Sequence, residues 1–326
     1  MPSKFSRRDF ISTLGATLGA TVAGSLLPAP ALEAITPLYP PMDLSYFRRP
    51  VTPAPAEIRW GYAAITWNDD DRKAIDEIGA LGFPGIQLRA NAVKEFNGDA
   101  KAVHDLLDQH QLKLVAFSSG ELDVDSSEDA QIMMHTANAK FLHDAGGDYL
   151  QVIGARPKDR VVVDDDYKNM GRMLTDLGKR TADIGVQLSL HNHMYSLAQS
   201  AGEVDKIFDA VDPRYVKLEL DIAHYWCAGG DPAKAVEEYR GRLLFLHIKD
   251  AIDVTPSKES DNRPYRFVEL GNGKVDIPAV FAALQEVQFR GWAVIELDGP
   301  TDPSRTPKQS AEISKTYVEQ KLGYTI

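Results

Sequence analysis

The stretch Val186–Met194, VQLSLHNHM, reads as a β-strand that loses its apolar character at its far end. Strand side chains alternate between two faces, so Val186, Leu188 and Leu190 share one side, and Ser189, His191 and His193 the other. One such histidine is accounted for by a hydrogen bond inside a core. Two on one face, closing a strand, raise the alternative of a metal ligand or a proton carrier. Upstream lie a helical pattern near Asp164–Ile184 and a strand at Asp148–Ile153. Downstream come a helical pattern near Ser200–Val211 and a strand at Tyr215–Asp221. The unit is strand, polar turn, amphipathic helix.

That unit repeats along the chain. Further strands are predicted at Ile58–Trp67, Gly85–Arg89, Leu112–Ser118, Leu243–Lys249 and Trp292–Leu297. Helices fall near Asp70–Leu81, Asp99–His110, Glu128–Ala145, Pro232–Tyr239, Pro278–Val287 and Pro307–Leu322. Asp231-Pro232 and Asp276-Ile277-Pro278 mark helix starts, with Asp as cap and Pro in the first turn. Eight strands alternating with eight helices predict a single-domain (β/α)8 TIM barrel. A doubly wound open sheet is the rival, but no G-x-G-x-x-G turn follows the first strand, and polar residues end nearly every strand. The segment Ala251–Lys274 is long for a connection of this kind and fits a lid or a contact in a homo-oligomer.

The first residues read differently. Ser6-Arg7-Arg8-Asp9-Phe10-Ile11 carries a twin arginine, followed by a Gly/Ala/Thr-rich apolar run to Leu27 and small residues up to Ala34. Residues 1–34 are therefore expected to be a Tat-type signal peptide, and the mature protein periplasmic or secreted. The apolar run is short and weakly apolar for a stable membrane span. Ile35–Glu57, with six prolines, is expected to be an extended lead-in. Residues 58–326 remain for the barrel, enough for a large core. The single cysteine, Cys227, excludes an internal disulfide. Removing residues 1–34 takes the net charge from −11 to −12. An acidic chain without a basic cluster argues against nucleic acid or an anionic membrane as partner.

In such barrels the active face lies at the C-terminal strand ends. His104, His110, His135 and His143 sit in helical patterns, whereas His191, His193, His224 and His247 all fall at or just past the ends of strands five to seven. Strand six ends Leu218-Glu219-Leu220-Asp221-Ile222-Ala223-His224, where Asp221 is either a turn cap or a ligand. Strand seven puts Phe245, His247 and Lys249 on one face. In strand eight, Glu296 sits in an apolar run, a costly place for an unpaired carboxylate. His191, Asp221, His247 and Glu296 offer imidazole and carboxylate from four adjacent strands, a set that suits Mn²⁺, Zn²⁺, Co²⁺ or Fe²⁺ better than Ca²⁺. The bland alternative is a buried ion-pair network. His193, Lys249 and His224 are candidate proton carriers, and Gln87, Arg89, Gln151 and Trp226 candidate substrate-binding residues.

These residues carry a resemblance. Gly61…Trp67-Asn68-Asp69-Asp70, Gly85-Ile86-Gln87-Leu88, His191-Asn192-His193-Met194 with Gln199, Asp221-x-x-His224…Ala228-Gly229-Gly230-Asp231-Pro232, and His247-Ile248-Lys249-Asp250 resemble the xylose-isomerase-like, or sugar phosphate isomerase/epimerase, TIM-barrel superfamily. The chain is most similar to the inosose dehydratase branch, over about four fifths of its length. The resemblance implies a divalent metal held by Asp221, His247 and Glu296, with His191 in a strand-five slot that commonly holds Glu. It implies His193 as the catalytic histidine, and it places Gln87 where a second-strand Glu is common.

The activity expected is metal-assisted enolisation of a keto-sugar, sugar or cyclitol through an enediolate, leading to isomerisation, epimerisation or dehydration. His193 would remove the proton, and Lys249 or His224 would return one. Two other readings compete: a non-catalytic periplasmic sugar-binding barrel, disfavoured by the retained ligand set, and a nuclease, disfavoured by the acidic charge.

Overall fold

The computed structural model describes residues 55–326; the predicted signal peptide and all but the end of the lead-in lie outside the described residues. Eight parallel strands close into a barrel. They are β1 (Glu57–Ala63), β2 (Gly85–Arg89), β3 (Lys113–Leu122), β4 (Tyr149–Gly154), β5 (Gln187–His191), β6 (Val216–Asp221), β7 (Leu243–Ile248) and β10 (Arg290–Ile295). Closure comes from β1 pairing with both β10 and β2, in registers that set Tyr62 opposite Ile295 and Gly61 opposite Gly85. The two remaining strands, β8 (Asp250–Asp253) and β9 (Tyr265–Val268), form an antiparallel hairpin outside the barrel wall. No helix among the described residues is long and apolar enough to cross a membrane.

The predicted elements are present, with instructive shifts. β1 stops at Ala63 and the chain turns through a 3-10 segment, Ala64–Trp67, into left-handed Asn68. β3 runs on to Leu122 across a register break near Gly120, whose φ of 97° suits glycine. β10 starts at Arg290 and ends at Ile295, which puts Glu296 in the loop just past the strand. The helix starts behave as read: the side chain of Asp231 accepts from Ala233 N and Lys234 N, and that of Asp276 from Ala279 N. Two short helices lie outside the predicted set: Asn91–Glu95, after β2, and Ile222–Cys227, which follows β6 without a turn.

The barrel interior has two storeys. The lower one is apolar: Ala63, Val115, Ala116, Phe245, Trp292 and Val294 form their own cluster, with Tyr149 stacked on Phe245. A Cβ on Gly85 would come within 2.4 Å of the Trp292 ring, so the large indole requires glycine opposite it. Two residues past Gly85 and Phe245 on the same inward faces stand Gln87 and His247, which with Ser189 and Glu219 make a buried polar group. The strand period thus sets an apolar plug beneath a polar floor.

The long segment after β7 is anchored rather than loose. The buried Asp250 carboxylate accepts backbone N–H groups from Ala251, Gly271, Gly273 and Val275 at 2.9–3.1 Å. A Cβ on Gly273 would collide with that carboxylate at 2.0 Å. Asp250→Ala would strand four amide donors in a buried loop and is expected to lower stability by about 3 kcal/mol. Urea unfolding measures this; a loss under about 1 kcal/mol would mean the loop rehydrates freely.

Candidate functional site

At the end of β5 the ladder to β6 closes on the pair His191 and Glu219. Asn192 then extends it with its side chain, donating to Asp221 O at 3.0 Å and accepting from Asp221 N at 2.9 Å. Asp221 is thereby fixed, and its two oxygens divide their work. Oδ1 caps the helix Ile222–Cys227, accepting from Ala223 N and His224 N at 2.8 Å. Oδ2 is buried without a hydrogen-bond partner and lies 3.7 Å from His247 Nδ1. The cap is therefore made by one oxygen, and the other is left available as a ligand atom.

His247 stands opposite Asp221 in the β6–β7 register. Its Nε2 bonds to Gln87 Oε1 at 2.7 Å and has Glu219 Oε1 at 2.8 Å. Its Nδ1 has no hydrogen-bond partner and faces Asp221 Oδ2 and, at 3.2 Å, Glu296 Oε2. One ligand atom each from His191, Asp221 and His247 lie within 4.8 Å of one another, all three residues buried. Orphaned polar atoms this deep are uncommon in a folded chain. Here they converge as a mixed nitrogen and oxygen set that fits a divalent transition metal. Burial works to lower the His247 imidazolium, but the Glu219 and Glu296 carboxylates outweigh it and hold the group well above its ordinary value. For Glu296 burial works upward, and the charges of His247 and Lys249 hold its carboxyl well below the usual range. The ion-pair reading and the metal reading therefore describe one site, which attracts positive charge.

His193 and His224 form a second pair, with ring centroids 3.8 Å apart. With His191 they also make a group of three within 4.8 Å. The backbone of Met194 distinguishes them. Its carbonyl accepts from His193 Nδ1 at 2.7 Å, which leaves the His193 Nε2 lone pair free. Its N–H donates to His224 Nδ1 at 3.2 Å, so the proton of the neutral His224 ring sits on Nε2. Burial pushes His193 down to about 4, with His191 adding to it, and burial likewise keeps His224 well below its ordinary value. Near neutral pH the pair is one proton acceptor beside one neutral hydrogen-bond donor. A protonated Nε2 has no lone pair for a cation, so His224 is poorly suited as a ligand through that atom.

Lys249, buried just past β7, donates to Glu296 Oε1 at 2.8 Å and to Asp298 Oδ1 at 2.6 Å. Burial would lower the ammonium group, but Asp298 and Glu296 raise it instead. The hairpin supplies the wall above: Phe267 lies 4.0 Å from Lys249 Nζ and edge-on to His224 at 4.8 Å. Between this hairpin and the loop after β10 runs a cleft of about 560 Å³, lined by Arg263, Tyr265, Arg266, Phe267, Asp298 and Pro300 among others.

The predicted substrate-binding residues scatter. Gln87 and Gln151 are buried and lie 3.5 Å apart, with Gln87 engaged by His247 rather than facing open space. Arg89 pairs with Asp69 at 3.1 Å on the rim, Trp226 is half-buried on the helix after β6, and none of the four lines the cleft. Sequence reasoning passed over Glu219. It is fully buried, 3.1 Å from His191 Nδ1 and 2.8 Å from His247 Nε2. The signal was present: a Glu in an apolar strand two residues before Asp221, on the same face. The sequence shows no role for Asn192, and only the pairing of β5 with β6 reveals one.

Known proteins match this chain in sequence and in fold. A sequence model described as xylose isomerase-like TIM barrel matches residues 75–317. An inosose dehydratase of Lacticaseibacillus casei is 26% identical over 298 residues, covering 82% of this chain and 98% of the relative. The rhizopine catabolism protein MocC of Rhizobium meliloti is 27% identical over 277 residues, 74% of this chain and 81% of that protein. Among solved structures, the IolI protein with a bound zinc atom superposes with a TM-score of 0.70 at 18% identity, over 82% of this chain and 99% of the other. An L-ribulose 3-epimerase gives 0.66 at 16%, over 82% and 95%. With a closed parallel barrel, polar groups gathered at its C-terminal strand ends and three quarters of the sequence matched, the chain belongs to the xylose isomerase-like TIM barrel family.

Proposed function

We propose that this protein is a divalent-metal-dependent enzyme of isomerase or lyase type that removes a proton beside the carbonyl of a keto-sugar or keto-cyclitol. The observation that carries the reading is the meeting of buried, unpartnered atoms of Asp221 and His247 with His191 and Glu296 at four neighbouring strand ends. These four residues would hold the cation. When bound, such a cation polarises a carbonyl and acidifies the adjacent C–H.

The chain's own groups do the rest. His193 Nε2 accepts the proton, its ring held by the Met194 carbonyl. His224 Nε2–H is a fixed donor for a substrate oxygen. Lys249 spends two of its three donors on Glu296 and Asp298, which leaves the third for a hydroxyl or alkoxide. The cleft beside Asp298 offers a route for a polyol, and the hairpin excludes water above Lys249. Gln87, tied to His247, offers no second base, which supports dehydration over two-base epimerisation. The naming of relatives as inosose dehydratase supports the same arm. The twin arginine at Arg7-Arg8 and the apolar run behind it support export by the Tat route and a periplasmic site of action.

The test is a panel of keto-cyclitols and oxidised monosaccharides incubated in D₂O with metal-loaded protein and followed by NMR. Deuterium is expected at the carbon next to the carbonyl, with loss of water for the true substrate. Chelation is expected to reduce turnover to under about 1%, and a divalent cation to restore it. Turnover that survives complete metal removal would end the reading.

A further inference from the structure

Glu219 has no place in the proton chemistry, yet it is the most deeply placed carboxyl group of the site. It is wholly buried, on the inward face of β6, two residues below Asp221. Neither oxygen has an aligned hydrogen-bond donor. An uncompensated carboxylate in such a position is costly enough that a fold retains it only with charge partners. Its partners are two imidazoles on the flanking strands: His191 Nδ1 on β5 at 3.1 Å and His247 Nε2 on β7 at 2.8 Å, both from Oε1. On its other edge, His247 presents Nδ1 to Asp221 Oδ2 and Glu296 Oε2.

We propose that Glu219 is the positioning carboxylate of the metal site, a single group that stands behind both histidine ligands and selects which nitrogen of each faces the cation. The inference rests on the metal-site part of the reading above and not on the reaction. A carboxylate that attracts a proton to His247 Nε2 keeps the lone pair on Nδ1, the atom turned toward Asp221 and Glu296. The same oxygen attracts a proton to His191 Nδ1 and keeps the lone pair on Nε2. Gln87 Oε1, bonded to His247 Nε2, reinforces the choice for that ring. Carboxylates placed behind metal-bound imidazoles act in this way generally, fixing the tautomer and making the ligand more basic. Unusually, one carboxylate here serves two rings on two different strands, because β6 lies between β5 and β7.

The experiment compares Glu219→Gln with the unaltered full chain, using Zn²⁺ alone and no substrate. Competition against a chromophoric chelator is expected to show Zn²⁺ affinity lowered about 10- to 100-fold. The metal-free variant is expected to melt cooperatively but no higher than the unaltered protein, because a carboxylate paired with two buried imidazoles has been removed. In Zn²⁺-loaded protein with ¹⁵N-labelled histidine, His247 is expected to bind through Nδ1 and His191 through Nε2, and the variant to lose that uniformity at His191. Glu219→Asp, which keeps the charge but shortens the reach, is expected to fall between the two. Unchanged affinity in Glu219→Gln, or His247 bound through Nε2, would overturn the inference while leaving the proposed reaction standing. Glu219-dependent Zn²⁺ binding in a protein that turns over no cyclitol or sugar would do the reverse.

Discussion

Glu296→Gln is expected to give a folded protein that retains less than about a tenth of the wild-type metal under equal loading and loses activity by a factor on the order of 10³. The substitution keeps the shape of the side chain, and the amide oxygen can still accept from Lys249, which also keeps Asp298 at 2.6 Å. The buried ammonium group is therefore not abandoned, and the barrel survives. What is lost is a negative charge 3.2 Å from His247 Nδ1, on the rim of the group formed by His191, Asp221 and His247. An amide is a poor substitute for a carboxylate as a ligand to a hard or borderline cation. Elemental analysis of metal per chain, taken with turnover, checks both halves. Full activity at full metal content would remove Glu296 from the site. Glu296→Ala is a harsher test and a less clean one, since it also strips Lys249 of a partner inside the barrel mouth.

His193→Gln is expected to leave metal content within about twofold of wild type and to lower turnover by about 10²- to 10⁴-fold, the range typical for loss of a general base. The expectation follows from the Met194 carbonyl, which takes the Nδ1 proton and leaves Nε2 as the acceptor. Deuterium exchange beside the carbonyl should fall in step with product formation, because both require the same proton transfer. Metal content is what separates the two roles the sequence left open for His191 and His193. If His193→Gln loses metal, the ligand and the base have been interchanged. If exchange persists while product formation stops, His193 acts after proton abstraction, and the base lies elsewhere.

Much of the site could be read along single strands. Period-two alternation placed Phe245, His247 and Lys249 on one face, and the structure sets them in ascending order from the apolar plug to the mouth. Asp221 was legible as a cap or a ligand, because both demand an oxygen at a strand end; one oxygen caps the helix and the other is left without a hydrogen-bond partner beside His247. Glu296 was singled out by the cost of a charge in an apolar run. Glu219 meets the same criterion, but it lies two residues before the strand end, where a sequence does not distinguish a site residue from a buried ion pair. The substrate-facing assignments were the least legible. Gln87 differs from an open binding residue only in that His247, 160 positions away, occupies it.

Taken by itself, the sequence determined the kind and order of the elements and which side chains point inward. Those follow from local periodicities and caps that act within one turn or one strand. The tertiary structure decided which inward groups come together and which stand apart. That choice depends on distances between side chains from different strands, set by barrel closure and register. It depends equally on protons placed by remote partners: the N–H of Met194 reaches His224 thirty residues on, and Glu219 reaches rings on the strands to either side. No local pattern carries such information, because each of these contacts exists only once the chain has closed on itself.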